Sequence, residues 1–139
     1  MNLDLANALI SAALDYRRAY DLKPLTIAVI DAGGHLVALQ REDGTSNLRA
    51  EIAQGKAKGA VAMGLGSRAL FNRAQEQPYF ISAMNALSGG ALVPVPGGVL
   101  IRRDGVLIGA IGITGDSSDN DETCAVAVIE AQGLTAETG

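Results

Sequence analysis

The chain has 139 residues, 48% hydrophobic and 19% charged, the size and balance of one compact domain with its own core, which excludes a two-domain enzyme. Eleven Lys and Arg against fifteen Asp and Glu leave a net charge of −4, the wrong sign for gripping phosphate backbones, so nucleic acid is not an expected partner. A single cysteine rules out an internal disulfide and a cysteine-rich zinc site, and no stretch approaches the roughly 18 unbroken apolar residues of a membrane span. The segment Met1-Asn2-Leu3-Asp4-Leu5 lacks the basic region and apolar core of a secretory signal. The expectation is therefore a soluble cytoplasmic protein with no membrane partner.

From Leu3 to Tyr20, Leu3, Ala6, Ile10, Ala13 and Leu14 recur at helical spacing, which predicts an amphipathic helix stopped by Pro24. Thr26–Ile30 then reads as a buried strand, Asp31-Ala32-Gly33-Gly34 as a turn and Leu36–Arg41 as the returning strand. Ser46 or Asn47 is placed to cap a helix running to about Met63, with Ala50, Ala53, Ala57 and Ala60 on its inner face. Such small residues let a helix approach a sheet closely. After a glycine break, Ser67–Phe71 predicts a further short helix, and Gln75–Gly98 is the least regular stretch, suited to a lid, a binding surface or an interface.

Asp104-Gly105 between Val99–Arg103 and Val106–Ile113 is the two-residue signature of a type I′ hairpin. Asp119 or Ser118 is placed to cap a last helix to about Gln132, with Glu122 completing a capping box from Asp119 and Gly133 ending it. The order helix, hairpin, helices, hairpin, helix predicts an α+β domain over residues 1–139, built on a central antiparallel sheet flanked by helices.

Among residues with chemical potential, Gly64-Leu65-Gly66-Ser67-Arg68-Ala69 spells a dinucleotide-binding fingerprint, but follows a helix where the fingerprint needs a strand. His35, the only histidine, sits in a turn and is either an ordinary surface residue or a base or haem ligand. Cys124 reads as a buried thiol, and the acidic run Asp116–Glu122 either caps a helix or offers oxygens to a hard cation. Lys56, among small and apolar neighbours, either receives a ligand carboxylate or snorkels to water. Arg41 at a strand end either does the same bidentately or pairs with Glu42 or Asp43. Gly112, Thr114 and Gly115 end a strand before a capped helix, where their N–H groups and the Thr114 hydroxyl line a small polar pocket or form a plain turn.

Asp31-Ala32-Gly33-Gly34-His35-Leu36-Val37-Ala38, Arg41 with Asp43-Gly44, Lys56-Ala57, Pro96-Gly97-Gly98-Val99 and Gly109–Gly115 followed by Asp119 and Asp121 together resemble the GlcG/HbpS family, the haem-degrading domain family. The resemblance covers nearly the whole chain. It implies a profilin-like sandwich with a central sheet of about five strands that assembles into homo-oligomers, and haem as a ligand. On that resemblance Arg41 and Lys56 become candidates for haem propionates or another ligand's acid groups. Gly97, Gly98, Thr114 and Gly115 become candidates for the pocket wall. No catalytic residue and no protein metal site is assigned.

The leading expectation is an oligomeric small-molecule binding protein with haem as ligand and slow haem degradation as an activity. The alternatives are an enzyme acting on a small organic acid or aromatic catabolite, with Lys56 or an acid among Asp116–Asp121 as acid–base group, and a ligand-free assembly protein.

Overall fold

The computed structural model describes residues 1–139. In chain order it contains α1 (Leu3–Ala19), β1 (Thr26–Asp31), β2 (Leu36–Arg41), α2 (Arg49–Met63), α3 (Ser67–Glu76), α4 (Pro78–Leu87), β3 (Gly98–Arg103), β4 (Val106–Thr114), α5 (Ser118–Ala131) and β5 (Thr135–Glu137). The five strands form one antiparallel sheet in the order β2-β1-β4-β3-β5, so two local hairpins are joined through β1 and β4. This is the α+β architecture expected from the order of elements.

Strand alternation assigns the two faces. Ile27, Val29, Val99, Ile101, Ile111 and Ile113 point to one side and pack under α1 and α5, whose Leu9, Ile10, Ala13, Ala125 and Ile129 are fully buried. Each large side chain so buried is worth roughly 1.5–3 kcal/mol of transfer free energy, which makes this layer the main source of stability. The other face carries Ile30, Leu100 and Ala110 against Ala57 and Ala60 of α2. There α2 lies almost on the sheet, because Gly98 and Gly112 stand opposite each other across β3 and β4. A Cβ on Gly112 would strike the Ala53 carbonyl, and one on Gly98 the Lys56 carbonyl.

The second hairpin turns as its sequence requires, with Asp104 and Gly105 at φ of +51° and +79°. Helix starts differ from expectation. Leu48, with no side-chain hydrogen bond, precedes α2 in place of Ser46 or Asn47. Ser117 caps α5 by accepting from the Asn120 N–H, and Glu122 reaches Arg68 instead of closing a capping box. The irregular stretch holds α4, which packs on α3 through Ile81, Leu70 and Leu92. The fifth strand, Thr135–Glu137, pairs with β3 beyond the last predicted element. No helix is long and apolar enough to cross a membrane.

Candidate functional site

Lys56 points from α2 into the protein and is 1% exposed. Its Nζ donates to the Ile113 carbonyl at 2.8 Å and to Asp121 Oδ2 at 3.1 Å, while Asp121 Oδ1 accepts from the Asp116 N–H at 3.1 Å. Burial pulls the Lys56 pKa down and pushes that of Asp121 up, and in each case the partner's opposite charge works against the shift. Gly97, at φ +118°, leaves the space for this pair, since a Cβ there would meet Lys56 Nζ and the Ile113 carbonyl.

The sequence-based picture of Lys56 as a ligand's cation, with Gly97 and Gly98 as pocket wall, therefore changes. All three are buried, and they surround an internal ion pair. Small neighbours identified a close-packed helix correctly. The chain separation of Lys56 from Asp121 hid the partner that closes over it. Lys56 does not snorkel either.

Gly115, by contrast, borders an opening, with Thr114 buried behind it. Thr114 Oγ1 accepts from an Arg49 guanidinium nitrogen at 2.7 Å, and Gly115 lies in a cleft of about 190 Å³ with Lys23, Pro24, Gly44, Thr45, Ser46 and Arg49. Gly115 is at φ +149° with its backbone against the Pro24 carbonyl, a contact that leaves no space for a Cβ. The half-buried Arg49 side chain makes no hydrogen bond within the chain beyond that to Thr114. Its remaining N–H donors and the Lys23 ammonium give the cleft a cationic character.

Arg41 belongs to the same end of the sheet. Thr114, Thr26 and Arg41 stand opposite one another across β4, β1 and β2, so their side chains share the face on which α2 lies. Two strand spacings of ~4.8 Å put Arg41 about 10 Å from Thr114. Arg41 is exposed and in no ion pair; Glu42 instead accepts from the Leu25 N–H at 2.6 Å and lies 3.6 Å from Arg17. Arg49 was missed by sequence reading. Its signal is position: a cation in the first turn of α2 opposes the helix dipole, so it calls for another reason to be there.

Asp116 anchors the floor of this region. Its carboxylate accepts from the Lys23 N–H at 2.8 Å, from the Asn120 side chain and from the Ser117 N–H, which together lower its pKa from 3.8 to about 2. A carboxylate with a depressed folded-state pKa contributes stability above its unfolded value and loses it as pH falls through the folded one. Asp116→Asn is therefore expected to flatten the part of the acid transition between about pH 4 and pH 2, read as urea midpoint against pH. An unchanged profile would show that those bonds do not discriminate the ionised form.

The other candidates separate. His35 is 82% exposed with Nδ1 3.3 Å from Asp31 Oδ1, and the backbone N–H of His35 is the first cause of the lowered Asp31 pKa. Cys124 is buried with its thiol pushed up to about 12, which removes it as a nucleophile. Asp119 and Glu122 hold Arg68. Gly64, at φ +67°, ends α2, so the glycine pair before α3 is a break between helices and not a nucleotide loop. On the far side of the sheet, Tyr16 and Tyr20 stack at 4.3 Å beside an open apolar hollow between α1 and α5.

The fold is thus an α+β domain with an antiparallel sheet, a glycine-seated helix on one face and a cationic cleft where that helix begins. The chain belongs to the HbpS-like family: the model described as haem degrading protein HbpS-like matches residues 1–130. It is 32% identical over 114 residues to Protein GlcG of Escherichia coli K12, covering 82% of this chain and 81% of that protein. It is also 32% identical over 115 residues to the corrinoid adenosyltransferase PduO of Salmonella typhimurium, covering 82% of this chain but only 34% of PduO. The chain thus corresponds to about a third of that relative's length. Among solved structures, the PduOC:heme complex superposes with a TM-score of 0.86 at 27% identity, covering 96% of both chains.

The donors of the cleft suit the acid groups of haem. Its lining holds no His, Cys, Met or Tyr to ligate iron, and about 190 Å³ is below the roughly 300–1,000 Å³ that encloses a drug-sized ligand.

Proposed function

We propose that this protein binds a small molecule bearing carboxylates, and that haem is that ligand. The observation that carries the reading is Arg49, half-buried and held at one nitrogen by Thr114, with its other donors free beside Lys23, Thr45, Ser46 and Gly115. Arg41 on the same face supplies a second cation within reach of a ligand with two acid groups. The haem complex of a relative that superposes along nearly the whole chain supports haem over other carboxylates. In this reading Arg41 and Gly115 belong to the binding surface, Thr114 positions Arg49 from behind it, and Lys56, Gly97 and Gly98 lie buried beneath. The protein works as an oligomer in the cytoplasm, where its unpaired buried thiol is at home.

An enzyme using Lys56 as its acid–base group is less well supported, because the Lys56–Asp121 pair is closed to solvent.

Titration with haemin, followed in the Soret band, tests the reading. Arg49→Ala and Arg41→Ala are each expected to weaken binding roughly 10- to 100-fold, the loss of a charge-assisted hydrogen bond of about 1.5–3 kcal/mol. Wild-type affinity in both variants would move the site elsewhere, and a non-saturable wild-type response would remove haem as the ligand.

A further inference from the structure

We propose that the cationic cleft at the start of α2 is also a seat for free inorganic phosphate, which loosens bound haem by taking the cleft from one of its acid groups. The proposal rests on the haem reading above and adds a second ligand that regulates the same site.

Donors reach the cleft from four separate segments: Lys23 from the turn before β1, Ser46 from the loop after β2, Arg49 from the first turn of α2 and Gly115 just after β4. The Lys23 ammonium, the Ser46 hydroxyl and the Gly115 N–H find no acceptor within the chain, and Arg49 spends one nitrogen on Thr114. No Asp or Glu lines the cleft. The acids of adjoining segments are engaged elsewhere, Asp116 by the backbone N–H groups of Lys23 and Ser117 and the Asn120 amide, Glu42 by the Leu25 N–H beside Arg17.

Shape and size select among anions. The volume of about 190 Å³ is the share of roughly six waters at ~30 Å³ each, and no large apolar side chain lines it, so a compact anion fits where a ring does not. A carboxylate offers two oxygens in one plane, which suits one edge of a guanidinium and leaves donors on the other sides unmet. A tetrahedral oxyanion turns an oxygen toward each side. Thr45 narrows the choice further. Its hydroxyl donates to the Glu42 carbonyl at 2.9 Å, so toward a ligand it can only accept. Phosphate at neutral pH still carries a proton to give it, whereas sulfate and carboxylates carry none.

Competition follows from Arg49, which the haem reading also needs. In that reading the two acid groups of haem lie on Arg49 and Arg41, and Arg41 is outside the cleft lining, about 10 Å from Thr114 across two strand spacings. Phosphate therefore removes one of two anchors. Haem binding weakens to a limit, that of a protein without Arg49, instead of being abolished.

Haemin titration of the full chain in the Soret band, at rising potassium phosphate with potassium chloride holding ionic strength constant, keeps screening fixed and reads the competition. Haemin affinity is expected to fall and level off roughly 10- to 100-fold lower, at the value of Arg49→Ala, the loss of one charge-assisted hydrogen bond. Arg49→Ala itself is expected not to respond to phosphate. Calorimetry of the haem-free chain is expected to show saturable phosphate binding, about 10-fold weaker in Lys23→Gln, and weaker binding of sulfate than of phosphate. No saturable heat, unchanged binding in Lys23→Gln, sulfate as tight as phosphate, or haemin affinity indifferent to phosphate overturns the proposal while leaving haem binding in place. Saturable phosphate binding in a wild-type protein that takes up no haemin overturns the haem reading itself and leaves the phosphate seat standing.

Discussion

Replacing Lys56 by Ala is expected to lower the free energy of unfolding by about 3–5 kcal/mol, because it strands the Asp121 carboxylate in the interior with its counter-charge gone. Asp121→Ala should cost a similar amount, leaving Lys56 Nζ with only the Ile113 carbonyl. Equilibrium urea unfolding at neutral pH reads both. The double variant Lys56→Met/Asp121→Leu is expected to cost less than the sum of the single losses, since no unpaired charge is then buried. Recovery should be partial, because the Asp116 N–H and the Ile113 carbonyl lose their partners. Losses below about 1 kcal/mol in the single variants would mean that water reaches the pair.

Gly112→Ala is expected to destabilise the protein by about 3 kcal/mol, the upper range for overpacking, although it adds a single methyl group. The reason is rigidity: the colliding atom is the carbonyl oxygen of Ala53, part of the hydrogen-bonded backbone of α2 and unable to swing aside as a side chain would. Relief requires the whole helix to lift from the sheet, which would loosen Ala57 and Ala60 from Ile30, Leu100 and Ala110. Thermal unfolding of Gly112→Ala beside Gly105→Ala separates this effect from backbone conformation. Gly105 is a turn glycine at φ +79° with open space around it, so its substitution should cost only about 1 kcal/mol. Equal losses at the two positions would show that α2 is not seated as tightly as described.

Much of this architecture was legible in the residues. Thr26–Ile30, the glycine-rich turn and Leu36–Arg41 announced a hairpin, Asp104-Gly105 announced another, and the alanines of α2 announced close packing; each is a local signal that needs no distant partner. The missing fifth strand is a different case, since Thr135–Glu137 is three residues long and becomes a strand only because β3 offers it an edge. The site was legible in part for the same reason. Arg41, Thr114 and Gly115 lie on strand ends that the hairpins themselves locate. The environment of Lys56, however, depends on Asp121 arriving from α5, and that of Arg49 on Thr114 arriving from β4. Neither meeting is encoded in spacing along the chain.

The sheet order β2-β1-β4-β3-β5 also sets a timetable for folding. Each hairpin closes a short segment, whereas the seam between β1 and β4 pairs Thr26 with Thr114 and cannot form until the chain between them has been gathered in. Loop-closure entropy makes that seam the costlier pairing of the sheet, since each hairpin closes a far shorter loop. The Arg49–Thr114 contact bridges α2 and the seam strand. The cationic cleft thus spans the joint between the two halves of the sheet, and a ligand bound there would hold that joint closed.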